Sequence, residues 1–174
     1  MRTARIILGY VVSFTVFAVA IPAAVIAIGR AVDTLLSWQP MALWPVNLVA
    51  AALLGALGVV WMIWSWWFLL TRGHGHPTEG FGIEVSPVTQ ELVTAGPYAR
   101  TRNPMGFGYI LVLLALSAVV SSAGTLVGIA IVAAVGVVAI VCFEEPRLVR
   151  RFGDPYLEYR RRVPRFLPRG RARR

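Results

Sequence analysis

The run MGFGYILVLLALSAVVSSAGTLVGIAIVAAVGVVAIVCF, from Met105 to Phe143, contains no charged residue. It is too long for one membrane-crossing helix of ~20 residues and suits two. Ser121-Ser122-Ala123-Gly124 divides it with a turn composition. The reading is a tight hairpin of apolar helices, over 104–120 and 125–143. The first half is short for a full crossing and implies a tilted or deeper-starting helix.

Outward from this hairpin the same pattern repeats. Ile6 to Ile28 is uncharged and long enough for a complete span, so it reads as a helix rather than a shorter-cored signal peptide. Pro22 is expected to kink its outer end. Arg30 to Pro45 reads as a connector carrying Arg30, Asp33, Pro40 and Pro45. A second uncharged run gives a helix over 46–70, where Gly55 and Gly58 allow close helix contact. It ends in Trp61, Trp64, Trp66 and Trp67, which suit an interfacial belt or, as a second reading, a ligand wall.

The chain is 57% hydrophobic with mean hydropathy +0.70, against 45–50% apolar for soluble domains. Together with the spans, this predicts one all-α integral membrane domain over 1–174 with about four transmembrane helices. The net charge is +9, and every basic residue is arginine. The arginines flank apolar runs, which indicates contact with anionic lipid and argues against nucleic acid. Four spans put the N-terminus, the loop 71–104 and the C-terminal segment on one side, with sixteen of the 17 basic residues. The positive-inside rule makes that side the cytoplasm and predicts a multi-pass protein with both termini inside. The lone Cys142 excludes a disulfide framework and reads as a buried small apolar side chain.

Two polar segments therefore emerge on one face, 71–106 and 143–168, as a composite site requires. Glu144 and Glu145 stand at the expected C-terminus of the last span, where a carboxylate is disfavoured by the helix dipole. A bound cation, an arginine partner or solvation would answer them. Asn103 and Pro104 make a good helix start, whose free N–H groups are suited to an anion. His74 and His76 flank Gly75, but no Cys or carboxylate stands at ligand spacing to complete a metal site. Leu148, Phe152, Tyr156 and Tyr159 fall on one face of a C-terminal helical segment interrupted at Gly153-Asp154-Pro155. Val163 to Pro168 reads as extended.

Taken in order, Gly73-x-Gly75-x-Pro77, Leu92-Val93-x-x-Gly96-Pro97-Tyr98-x-x-x-Arg102-Asn103-Pro104-Met105, Glu144-Glu145-Pro146-x-Leu148, Phe152-Gly153-x-x-Tyr156-x-x-Tyr159 and Val163-Pro164-Arg165-x-x-Pro168 carry a resemblance. The chain resembles the isoprenylcysteine carboxyl methyltransferase and phospholipid methyltransferase group of membrane enzymes over roughly Thr71 to Pro168. The resemblance implies S-adenosylmethionine as methyl donor. It implies Gly73, Gly75, Glu144 and Glu145 as donor-binding residues and Arg102-Asn103-Pro104 as pocket lining. Pro97, Tyr98, Gly106 and Tyr156 complete the expected cofactor set. Asn103 stands where isoprenylcysteine members have His, and Gly106 where an aromatic commonly follows Pro-Met.

The chemistry of the residues accords with this. Glu144 or Glu145 suits the donor's ammonium, Arg102 or the N–H groups after Pro104 its carboxylate, and Tyr98, Tyr156 or a Trp its adenine or sulfonium. Where the acceptor must lose a proton, Glu145 and His74 are the expected catalytic groups, with His76 also in reach. The expected acceptor is a small lipophilic or lipid-anchored molecule bearing a carboxylate, amine, thiol or phenol. The competing expectation is a non-catalytic four-helix membrane protein that docks a partner or anionic lipid through its basic segments. Oligomeric state is not legible.

Overall fold

The computed structural model describes residues 2–40, 44–74, 79–80, 83–84 and 89–170. The chain is an all-α integral membrane protein. Among the described residues, three helices are long and apolar enough to cross a membrane, with a shorter apolar helix beside them. A two-residue antiparallel ladder, Glu79–Gly80 against Ile83–Glu84, is the only strand pairing described.

The first rod is longer than the apolar pattern suggested. It runs as α1 (Arg2–Phe14), a π-helical stretch (Thr15–Ala20) and α2 (Ile21–Leu36). Arg30 and Asp33 therefore lie on a helix, not in a connector. Pro22 does not end the helix. Its ring crowds the carbonyl four residues back, and the wider π turn immediately upstream accommodates it. The second rod, α3 (Val46–Arg72), is one uninterrupted helix.

The hairpin forms as expected: α4 (Pro104–Val120) and α5 (Gly124–Ala139). Ser121 takes the left-handed conformation, φ 51°, closing the helix as a C-terminal cap. α5 does not end at Phe143. It passes through a second π-helical stretch (Ile140–Glu144) into α6 (Glu145–Phe152). Pro146 stands two residues beyond that stretch, as Pro22 stands beyond the first. Glu144 and Glu145 thus sit within a continuous rod, and the helix-end argument against them does not apply. Gly153, at φ 58° and ψ −135°, breaks the rod in a conformation open essentially to glycine alone. α7 (Asp154–Arg162) follows.

α3 packs along α4, and α2 along α5. Gly58 and Gly108 bring the α3 and α4 backbones into contact: a Cβ on Gly108 would stand 2.7 Å from the Gly58 carbonyl oxygen. Val25, Leu113 and Ile129 form the core between the two pairs. Most other large apolar side chains face outward, as a lipid-facing surface requires. Cys142 is among the outward-facing residues; on a membrane rod the outside is as apolar as a core, so apolar surroundings did not imply burial. The tryptophans divide. Trp61 is buried against Phe107 and Trp64, whereas Trp67 faces outward.

Candidate active site

The two polar segments meet at one end of the bundle. The part of the first that enters the site begins at Gly96, whose φ of +61° turns the chain and leaves room for Phe68; a Cβ there would meet that ring at 2.4 Å. A 3-10 turn over Gly96–Ala99 follows, with Pro97 buried. Residues 100–103 then lie under the extended C-terminal segment. The Arg102 N–H donates to the Pro164 carbonyl at 2.8 Å, and Arg102 Nε to that of Val163 at 3.1 Å. Thr101 Oγ1 and Asn103 Nδ2 both donate to the Arg165 carbonyl, at 3.0 and 3.1 Å. The prolines at 164 and 168 keep this segment extended, leaving its carbonyls available.

Glu145 is the centre of this assembly and is 4% exposed. Its Oε1 accepts from Arg102 Nη1 at 2.5 Å and from Arg165 Nε at 2.7 Å. Its Oε2 accepts from Arg165 Nη2 at 3.0 Å, with Arg160 at 3.9 Å. Burying a carboxylate is costly unless charge-assisted bonds answer it; here both oxygens are answered. The same bond raises the pKa of the Arg165 guanidinium. Three tyrosines surround the cluster. The Tyr159 hydroxyl donates to the Tyr98 carbonyl at 2.8 Å. Burial pushes the phenols of Tyr98, Tyr156 and Tyr159 above their ordinary range, so they remain neutral donors.

Below the cluster lies a cavity of about 680 Å³. Its polar end carries Tyr98, Arg102, Asn103, Pro104, Gly106, Glu144, Glu145 and Tyr156, eight of the residues expected from the sequence. Asn103 stands at the N-cap position of α4, but its side chain makes no capping bond. It is committed to the Arg165 carbonyl instead, and the first-turn N–H groups at Met105 and Gly106, both cavity-lining, receive no side-chain cap. Gly73, His74 and Pro97 do not line the cavity. Gly73 is a close-packing residue whose carbonyl accepts from the Gln90 N–H at 2.7 Å. His74 is exposed, with φ 49°. Gly75 and His76 lie outside the described residues, among which no group of three metal-ligating side chains occurs.

Several contributors were not foreseen. Arg165 stood in the sequence only as part of Val-Pro-Arg, and its bidentate pairing with Glu145 has no local signal. Leu148, Phe152 and Tyr159, placed on one helical face with the expected Tyr156, also reach the cavity although Gly153 divides their helix. Tyr10, Ser13, Phe14 and Phe17 of the first rod also line it, from a region with no recognisable motif.

Comparison with known proteins fits this architecture. The family model described as phospholipid methyltransferase matches residues 46–155. Methanethiol S-methyltransferase 2 of Bradyrhizobium diazoefficiens is 34% identical over 152 residues, covering 80% of this chain and 56% of that protein. The chain thus spans little more than half the length of that curated relative. No solved structure matches. Since the matched segment covers most of the chain and carries α3, α4, α5 and α6 with Arg102, Glu144 and Glu145, this chain belongs to the phospholipid methyltransferase family.

Proposed function

We propose that the protein transfers a methyl group from S-adenosylmethionine to a small lipophilic acceptor at the cytoplasmic face of the membrane. The observation that carries this reading is the uncapped first turn of α4, opening into the same cavity as Glu144 and the faces of Tyr98 and Tyr156. A donor with a carboxylate, an ammonium and an aromatic base needs this combination. The N–H groups of Met105 and Gly106 suit the carboxylate, Glu144 the ammonium, and a tyrosine face the base or sulfonium. When bound, S-adenosylmethionine would supply an electrophilic methyl carbon on a positively charged sulfur.

The chain's residues act chiefly by position. With the donor held by Glu144 and the first turn of α4, an acceptor lone pair would bond the methyl carbon as the carbon–sulfur bond broke, that electron pair remaining on sulfur. Such an in-line displacement gains most from orientation and exclusion of water. We assign Glu145 to positioning: it holds Arg102 and Arg165, which hold the roof of the cavity. A thiol acceptor, the class named in the methanethiol relative, would give up its proton to become the attacking thiolate; Glu144, which lines the cavity together with Glu91 and Glu145, is the carboxylate we assign to take that proton. The cytoplasmic placement follows from the arginine distribution.

Equilibrium binding of labelled S-adenosylmethionine to the detergent-purified chain tests this. Binding should be measurable and should weaken roughly tenfold or more in Glu144→Gln, the scale of one charge-assisted contact. Incubation with a lipid extract and a panel of thiols should give a product heavier by about fourteen mass units, one methyl replacing a hydrogen on the attacking atom. Wild type that binds no donor would sink the proposal in favour of a docking protein.

A further inference from the structure

The cavity has a second end, built partly by residues outside the segment matched to the family, which begins at residue 46. Tyr10, Ser13, Phe14 and Phe17 come from the first rod, and Met62, Ile63 and Trp66 face them from α3. Among the described residues, no charged side chain of either rod lies on this wall.

The π-helical stretch fixes where Phe17 stands. In that register an N–H bonds the carbonyl five residues back, and Ile21 N–H does reach the Val16 carbonyl. The next donor, to the Phe17 carbonyl, would be residue 22, a proline with no N–H. The Tyr109 hydroxyl supplies the missing bond at 2.7 Å. The Phe17 and Tyr109 rings also meet edge to face, with centroids 5.6 Å apart. Tyr109 lies five residues into α4, hence ~7.5 Å beyond Pro104 along the helix. A strut therefore joins the first rod to α4 at the apolar end of the cavity. Phe14 and Ile63 line the cavity yet are 71% and 59% exposed, so the wall between the two rods is open toward the lipid.

We infer that this apolar end is the acceptor subsite, that its occupant is a compact alkyl thiol or similar apolar nucleophile, and that Phe14, Phe17 and the Tyr109 strut set its size limit. The inference rests on the methyl-transfer reading above. The family-matched segment supplies Tyr98, Arg102, Glu144 and Glu145 to the donor end and one wall of the acceptor end, and the first rod adds the facing wall from outside that segment. Neither Phe14 nor Phe17 touches the Arg102–Glu145–Arg165 cluster, so exchanging them alters acceptor fit without rebuilding the donor end.

The test is photo-crosslinking of the detergent-purified full chain with short and long diazirine-bearing alkanethiols, with donor binding measured on the same preparation. The short probe should label the peptides holding Tyr10–Phe17 or Met62–Trp66, and propanethiol should compete better than octanethiol. Phe17→Ala should shift the long-to-short labelling ratio roughly tenfold upward and Phe17→Trp downward, the scale of a few methylenes in an apolar pocket. Phe17→Leu serves if the alanine variant does not fold. Donor binding with labelling elsewhere, or a ratio indifferent to residue 17, overturns the subsite alone. Labelling at the subsite without donor binding overturns the methyl-transfer reading and the acceptor role with it.

Discussion

Each end of the bundle is tied by one carboxylate from a membrane rod, with opposite results. At the end away from the cavity, Asp33 of α2 reaches the start of α5. Its Oδ1 accepts from the Gly124 N–H at 2.7 Å and its Oδ2 from the Ser122 hydroxyl at 2.5 Å. Asp33 thereby caps a helix from another part of the chain. Gly29 and Gly124 bring the backbones so close that a Cβ on Gly124 would stand 2.2 Å from the Gly29 oxygen. At the other end, Glu145 is answered by guanidinium groups on long side chains, and a cavity of about 680 Å³ lies beneath them. The difference lies in the partners. Small neutral donors let helices close on one another, whereas arginines neutralise a buried charge from a distance and hold space open.

The largest expected effect breaks the cavity end. Glu145→Ala leaves Arg102 and Arg165 without their common carboxylate, and removing one partner of a buried pair costs about 3–5 kcal/mol. Denaturant unfolding in detergent should show that loss, and donor binding should disappear with it. Retained stability together with retained donor binding would mean that the cluster does not hold the roof.

A smaller effect separates the two ends. Asp33→Ala leaves the Gly124 N–H and Ser122 hydroxyl without their acceptor, at a cost of about 1–3 kcal/mol. Donor affinity, measured well below the unfolding temperature, should stay within about twofold because no contact of Asp33 reaches the cavity. A tenfold change in affinity would show that the ends are coupled.

The smallest effect is alkaline. Tyr159 is buried, and burial holds its phenol above the ordinary value near 10. The unfolded chain loses that proton first, so stability is full below about pH 10 and falls above it. By pH 11 the loss should be on the order of 1 kcal/mol for this group. Tyr159→Phe should start less stable, having lost its bond to the Tyr98 carbonyl, but should decline less steeply between pH 9 and 11.

The apolar runs and the turn at Ser121–Gly124 determined the membrane fold, because hydrophobic length and turn composition act locally and each backbone must satisfy itself within lipid. Motif order determined which two polar segments belong to one site. Neither source revealed that Pro22 and Pro146 sit inside continuous rods, since the relief comes from a π turn and, at Phe17, from a hydroxyl 92 residues away. Neither showed that Asn103 leaves its own helix uncapped to hold the Arg165 carbonyl, or that Asp33 caps a helix 91 positions on. Local periodicity says which face of a helix is apolar; which distant donor meets a given buried acceptor is settled only when the rods pack.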